Sequence, residues 1–212
     1  MGHAKTLLGI FALLLFLNTE TVAREIQWFK GTVIFNNDES LHAEMHLNQE
    51  LGLLMVKSDE HIRTFPAFKF KYVEYFDTEY GEPRYFMSIF KRKTPSISEH
   101  SVFEIVVFGR YLVLRKELPS FGQLTEPFSN TLEKDEYEKV ENFIYYVYDG
   151  DRMLKLQHVN RRKMKMLTQR YDRDIEQYIQ KNQIHYRDSY SKIKVLAYYN
   201  ALAQRNAKGD DS

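Results

Sequence analysis

The chain has 212 residues, with 30 basic and 29 acidic side chains for a formal net charge of +1, and it contains no cysteine. Disulfides are thereby excluded, so stability has to come from burial, and the near-neutral balance gives no global pull toward nucleic acid or an anionic membrane. Aromatic residues make up 15% of the chain, mostly Tyr and Phe, which suits a sheet-rich body.

At the N-terminus Lys5 precedes an uninterrupted apolar run from Leu7 to Leu17. Polar Asn18-Thr19-Glu20 follows, and Thr21-Val22-Ala23 then offers small side chains three residues and one residue before a cut. This is the three-part grammar of a cleavable secretory signal over residues 1–23. The apolar run, roughly 11 residues, covers about half of the ~20 that a bilayer helix needs. A lipid anchor would require a cysteine at the cut. The expectation is an exported chain starting at Arg24, in the periplasm or on the extracellular face of a bacterial envelope, with no stable membrane span after cleavage.

From Trp28 to Phe90 the pattern is that of short strands and turns. Thr32-Val33-Ile34-Phe35 runs into the polar turn Asn36-Asn37-Asp38-Glu39. Leu41, Ala43, Met45 and Leu47 then take one face of a strand, and Ser40, His42, Glu44 and His46 take the other. Gly52 marks a second turn before Leu53 to Val56, and Asp59-Glu60 a third. Ile62 to Phe65, Phe68 to Phe76 and Arg84 to Phe90 complete a meander, with Gly81-Glu82-Pro83 between the last two. Such a meander, spanning residues 24–92, is expected to curl into a small barrel or twisted sheet that hides its unpaired edges. Lys91 to His100, with Pro95 and two serines, reads as a linker or long loop.

A second set of hairpins is expected over residues 101–159. Ser101 to Phe108 and Tyr111 to Leu118 turn about Gly109-Arg110, and Phe143 to Tyr148 pairs with Met153 to Val159 across a two-residue turn at Asp149-Gly150. Pro119 to Lys139 reads as an exposed excursion, a length at which loops tend to be functional. From Asn160 the period changes to three and four, with Met164, Leu167, Tyr171, Ile175 and Tyr178 on one stripe. Asn160 caps the start and Asn182 marks the end, while Asp172 leaves open one long helix or two. A last helix begins near Asp188 or Ser189, and residues 206–212 read as a disordered tail. The fold class is therefore α+β, a β-rich body with two or three C-terminal helices.

His42, Glu44 and His46 share one strand face and are all capable metal ligands. On a strand, however, the two histidines would lie about 13 Å apart, too far to hold one ion without a bend. The face reads as solvated, and no metal or cofactor is expected. Arg161, Arg162 and Lys163, with Lys165, cluster at a helix start, where they would make either an anion patch or a charged face with acids opposite. Asp149-Gly150-Asp151 lacks the distal ligands of a calcium loop, and Tyr145-Tyr146-Tyr148 and Tyr198-Tyr199 are expected to split between core and surface. No serine sits in a glycine-flanked elbow and no glycine cluster could cradle phosphate, so no catalytic residues are named.

Lys30-Gly31-Thr32-Val33, Val56 to Thr64 and Tyr72-Val73-Glu74-Tyr75-Phe76-Asp77 resemble the N-terminal region of exported proteins of Bacteroidetes-type bacteria that have no assigned activity. Tyr146-Val147-Tyr148-Asp149-Gly150, Tyr178-Ile179-Gln180-Lys181-Asn182 and Leu196-Ala197-Tyr198-Tyr199-Asn200-Ala201-Leu202 are similar to the same group. The resemblance implies an envelope location and a β-rich fold. By strand count the N-terminal pattern also resembles small SH3-like or Sm-like barrels. Together these readings point to a non-catalytic binding module whose partner is an envelope protein or glycan rather than nucleic acid. The alternatives are a carboxylate-dependent hydrolase of envelope polymers and a carrier of a small lipid or anionic ligand.

Overall fold

The computed structural model describes residues 26–58, 61–92, 98–118 and 143–209. The ten strands are β1 Phe29–Phe35, β2 Ser40–Asn48, β3 Leu53–Ser58, β4 His61–Pro66, β5 Phe70–Asp77, β6 Glu82–Arg92, β7 Ser98–Val107, β8 Leu112–Glu117, β9 Phe143–Tyr148 and β10 Met153–Lys155. Three helices follow, α1 Arg161–Thr168, α2 Asp172–Lys181 and α3 Ser189–Gly209. All ten strands belong to one antiparallel sheet in the order β10-β9-β8-β7-β6-β5-β1-β2-β3-β4. The α+β class read from the sequence is the one observed.

The course of the chain between β4 and β5 decides the shape. In a flat sheet those strands would lie about 19 Å apart, whereas a three-residue 3-10 turn advances only about 6 Å. Ala67–Lys69 form such a turn, so the sheet has to curl until β4 comes round toward β5. The turn is held on three sides, by Ala67 N–H donating to Gly52 O at 2.8 Å, Asn36 N–H to Lys69 O at 3.3 Å and Ser88 Oγ to Ala67 O at 2.7 Å. The curl encloses a core of Phe29, Val33, Met45, Leu54, Val56, Phe70, Val73, Tyr75, Phe86 and Val102. No ladder joins β4 to β5 among the described residues. The sheet is curled, not a closed barrel, and β4 remains an edge strand.

Gly31 shows how tightly β1 and β5 approach. It pairs with Tyr75, whose ring stacks on Phe29 at 4.7 Å, and a Cβ at this position would collide with Glu74 O and lie 2.6 Å from Tyr75 Cβ. Only glycine fits beneath the tyrosine.

The other half of the sheet carries the helices. Val113 of β8 and Tyr145 and Val147 of β9 pack against Met164, Ile175, Val195, Leu196 and Tyr199. On the opposite face Met87, Ile89, Phe103, Ile105, Leu114 and Tyr146 form a third cluster, across which the Lys91 ammonium lies 4.3 Å from the Phe103 ring centre. The tyrosines of β9 thus divide between two faces, as alternation requires. Asn200 anchors α3 to the β7–β8 hairpin: Tyr111 N–H donates to its Oδ1 at 3.1 Å, and its Nδ2 donates to Phe108 O at 3.1 Å and Tyr111 O at 2.7 Å.

Several expectations shift in detail. Lys91 to His100 does not separate two sheets, because β6 and β7 pair from Phe86↔Glu104 to Arg92↔Ser98. Pro83 lies within β6 rather than in the turn before it. The β9–β10 connection spans four residues, not two, since Asp149 Oδ1 accepts from Asp151 N–H at 3.0 Å and Arg152 N–H at 2.7 Å and so winds a wider loop. The helical stripe after Asn160 breaks at a 3-10 turn, Gln169–Tyr171, where Thr168 Oγ1 donates back to Met164 O at 3.0 Å. The expected caps are in place, with Asn160 Oδ1 accepting from Lys163 N–H and Asp188 Oδ1 from Ser191 N–H. Helix α3 continues past Asn206 to Gly209.

Candidate functional site

His42, Glu44 and His46 occupy alternate positions of β2, as anticipated, and each is engaged by a different neighbour. His42 Nδ1 lies 3.2 Å from Thr32 Oγ1, Glu44 Oε2 lies 3.3 Å from Lys57 Nζ, and His46 Nδ1 lies 3.0 Å from Gln27 O. No group of three potential ligands capable of holding a metal ion occurs among the described residues. His42 does line a small cleft of about 230 Å3 with Glu74, Phe76 and Tyr85.

The basic cluster of α1 faces acids on the next helix. Arg161 Nη2 lies 3.8 Å from Glu176 Oε2 and Lys165 Nζ 3.2 Å from Asp172 Oδ2, while Lys163 Nζ reaches His158 O at 3.4 Å. Arg162 is exposed beside them. This is a charged helix pair with its compensating acids nearby. The excursion from Pro119 to Lys139 and the signal-like residues 1–23 lie outside the described residues.

The helix-bearing face of the sheet holds an ionic network that the sequence did not announce. Glu104, 4% exposed, receives two bonds from Arg84 (Nε to Oε1 at 3.1 Å, Nη2 to Oε2 at 2.8 Å) and two from Arg115 (Nε to Oε2 and Nη2 to Oε1, both 2.8 Å). Arg84 Nη1 also donates to Asp77 Oδ2 at 3.2 Å. Burial pushes the Glu104 carboxyl up, but the hydrogen bonds and charges of the two guanidiniums outweigh it and hold the pKa below its ordinary value. A carboxylate fixed in its ionised form by two bidentate partners is built to stay charged, the opposite of what a proton donor needs.

A cleft with a volume of about 780 Å3 lies at the mouth of the curled half. Strand β4 supplies one wall. Arg63 and Phe65 pair with Val56 and Leu54, both fully buried, so their side chains turn to the concave side of the sheet. The opposite wall comes from the β1–β2 turn, with Phe35, Asn36, Asn37, Glu39 and Leu41, and from Phe68 and Lys69 of the 3-10 turn. The Phe35 and Phe65 rings meet across the gap with centroids 5.0 Å apart. Arg63 lies over the Phe65 ring at 5.8 Å and Lys69 over the Phe68 ring at 5.4 Å.

Among the described residues neither of these two cations has an ion-pair partner, and Phe68 is 52% exposed. None of these residues stood out in sequence. The available signal was Phe65-Pro66-Ala67-Phe68, where proline ends a strand and returns a second aromatic to the same opening. Compared with known proteins, the chain matches no family model, no curated protein and no solved structure.

Proposed function

We propose that this α+β chain is an exported, non-catalytic binding module of a bacterial envelope, and that the cleft at the mouth of its curled half is where it binds. The observation that supports this reading is the composition of the cleft. Three phenylalanines and Leu41 offer apolar surface, and Arg63 and Lys69 hold charges with no ion-pair partner among the described residues. Apolar lining with a few placed polar groups is what ligand sites share. The hydrolase alternative would place a raised-pKa acid beside an ionised carboxylate. The buried acids Asp77 and Glu104 are bound to arginines instead. A carrier would enclose its ligand, whereas this cleft opens along an edge strand. Export rests on the grammar of residues 1–23.

Two measurements test the reading. N-terminal sequencing of envelope-fraction protein is expected to begin at or near Arg24, and an intact Met1 there would refute export with cleavage. A thermal-shift screen of the exported protein against acidic peptides, anionic glycans and lipids is expected to raise the melting temperature. That gain should disappear in Phe65→Ser. Release of reducing ends from an envelope polysaccharide would overturn the non-catalytic assignment.

A further inference from the structure

The cleft runs beside a strand whose outer edge is unpaired among the described residues. Strand β4 is last in the sheet, and in an antiparallel ladder every second residue of an edge strand turns its N–H and C=O outward. The opposite edge, β10, is only three residues long and passes into a 3-10 turn at Leu156–His158, so it offers little to pair with. Strand β4 is six residues long, and its first four are exposed. Strand β5 does not cover that edge, because it is already paired with β1 on one side and β6 on the other.

Charge sets the kind of chain that fits. The ionisable groups lining the cleft are Arg63, Lys69 and Glu39, a net positive set. The nearby Lys71 is already taken by Asp38 at 2.6 Å. An incoming strand would present side chains alternately to the two faces. Those turned to the concave side would meet Phe35, Phe65 and Leu41, and acidic ones at the mouth would meet Arg63 and Lys69.

We infer that the cleft seats an extended acidic peptide segment of a partner protein, which adds to β4 as a further antiparallel or parallel strand. The main chain supplies affinity through the open edge, and the phenylalanine floor and two cations select alternating apolar and acidic side chains. The inference rests on the binding-module reading above and deepens it by naming the ligand class.

The test uses isotope-labelled protein isolated after export and a fluorescent ten-residue peptide alternating Glu and Val. Companion probes are the same peptide with Lys for Glu, the Glu-Val peptide N-methylated at alternate amides, and polygalacturonate as an anionic glycan. The Glu-Val peptide is expected to bind with amide shifts concentrated at residues 61–66 and Lys69, and with cross-strand contacts to β4. Binding should weaken about tenfold in Arg63→Glu or Lys69→Glu, as for other rim charges, and should fail for the lysine and N-methylated peptides. Both substitutions lie on exposed side chains, and an unchanged amide spectrum elsewhere confirms that each variant folds. Shifts that map away from β4, or equal binding by the N-methylated peptide, would overturn strand addition. Binding of polygalacturonate at Arg63 and Lys69 without the peptide would overturn the peptide inference and leave the binding module standing. Silence of the cleft toward every probe would overturn both.

Discussion

Glu104 sits in Val102-Phe103-Glu104-Ile105-Val106, the one charge in an otherwise apolar stretch of strand. That oddity is legible in sequence, but its partners are not, because Arg84 and Arg115 come beside it only through the registers of β6 with β7 and β7 with β8. Removing the charge leaves two guanidiniums facing each other. Glu104→Gln is expected to cost about 3 kcal/mol, toward the lower end for a broken buried pair because both arginines keep some water contact. Urea unfolding would measure it. The pH dependence follows from the depressed pKa. The stabilisation is complete above the unfolded value of 4.5 and is lost as pH falls through the lower folded value. Wild type should therefore shed stability below about pH 4.5 more steeply than Glu104→Gln. Tyr75 behaves oppositely at the alkaline end. Burial raises its pKa to about 12, partly countered by Arg84, so the folded state keeps a proton that the unfolded chain gives up above 10. Stability should fall as pH rises through that window, and Tyr75→Phe, followed by circular dichroism, should flatten the decline.

Single elements were readable where their determinants are local. Asn160 and Asp188 announce helix starts through side-chain oxygens that accept from backbone N–H groups three residues on, and the period of two in β2 gives its faces directly. Most of the determinants that were missed act between elements, the turn at Asp149 being a local exception. The four-residue turn at Asp149 depends on which amides its carboxylate chooses, and the placement of Phe65 and Phe68 in one cleft depends on the curl. Asn200 is another case: in sequence it is one polar residue on a helical stripe, and in the fold it satisfies three backbone groups of the β7–β8 hairpin. Asn200→Leu would leave those groups without partners and crowd Gly109, whose φ of 139° already confines it to glycine. The expected loss is about 2–3 kcal/mol, seen as a lowered unfolding midpoint and as faster amide exchange at Tyr111. Gly31→Val, by contrast, forces β1 away from Tyr75 and should abolish cooperative unfolding.

At the scale of the molecule, two halves with separate cores share one sheet. Trp28, the single tryptophan, lies next to His46 with ring centroids 6.5 Å apart and reports on the curled half, while helical ellipticity reports on the other. Because β6 and β7 carry residues of more than one core, the two signals are expected to melt together. Truncating Leu196 to Ala in α3 should lower the tryptophan midpoint as well. The composition of Lys91 to His100 reads as a linker, yet the strands on either side of it, β6 and β7, pair in one sheet, a long-range fact that composition does not carry. The position of β1 in the middle of the sheet has a kinetic consequence. Most neighbouring strands are hairpin partners that can zip within a few residues, but Val33 must find Val73, about forty residues onward, before the first core can close. Until then β1 and β2 form a hairpin with one bare side. The rate at which the chain acquires its native shape should thus be governed by this one long-range encounter, and a synthetic copy of β5 added during refolding should compete for it.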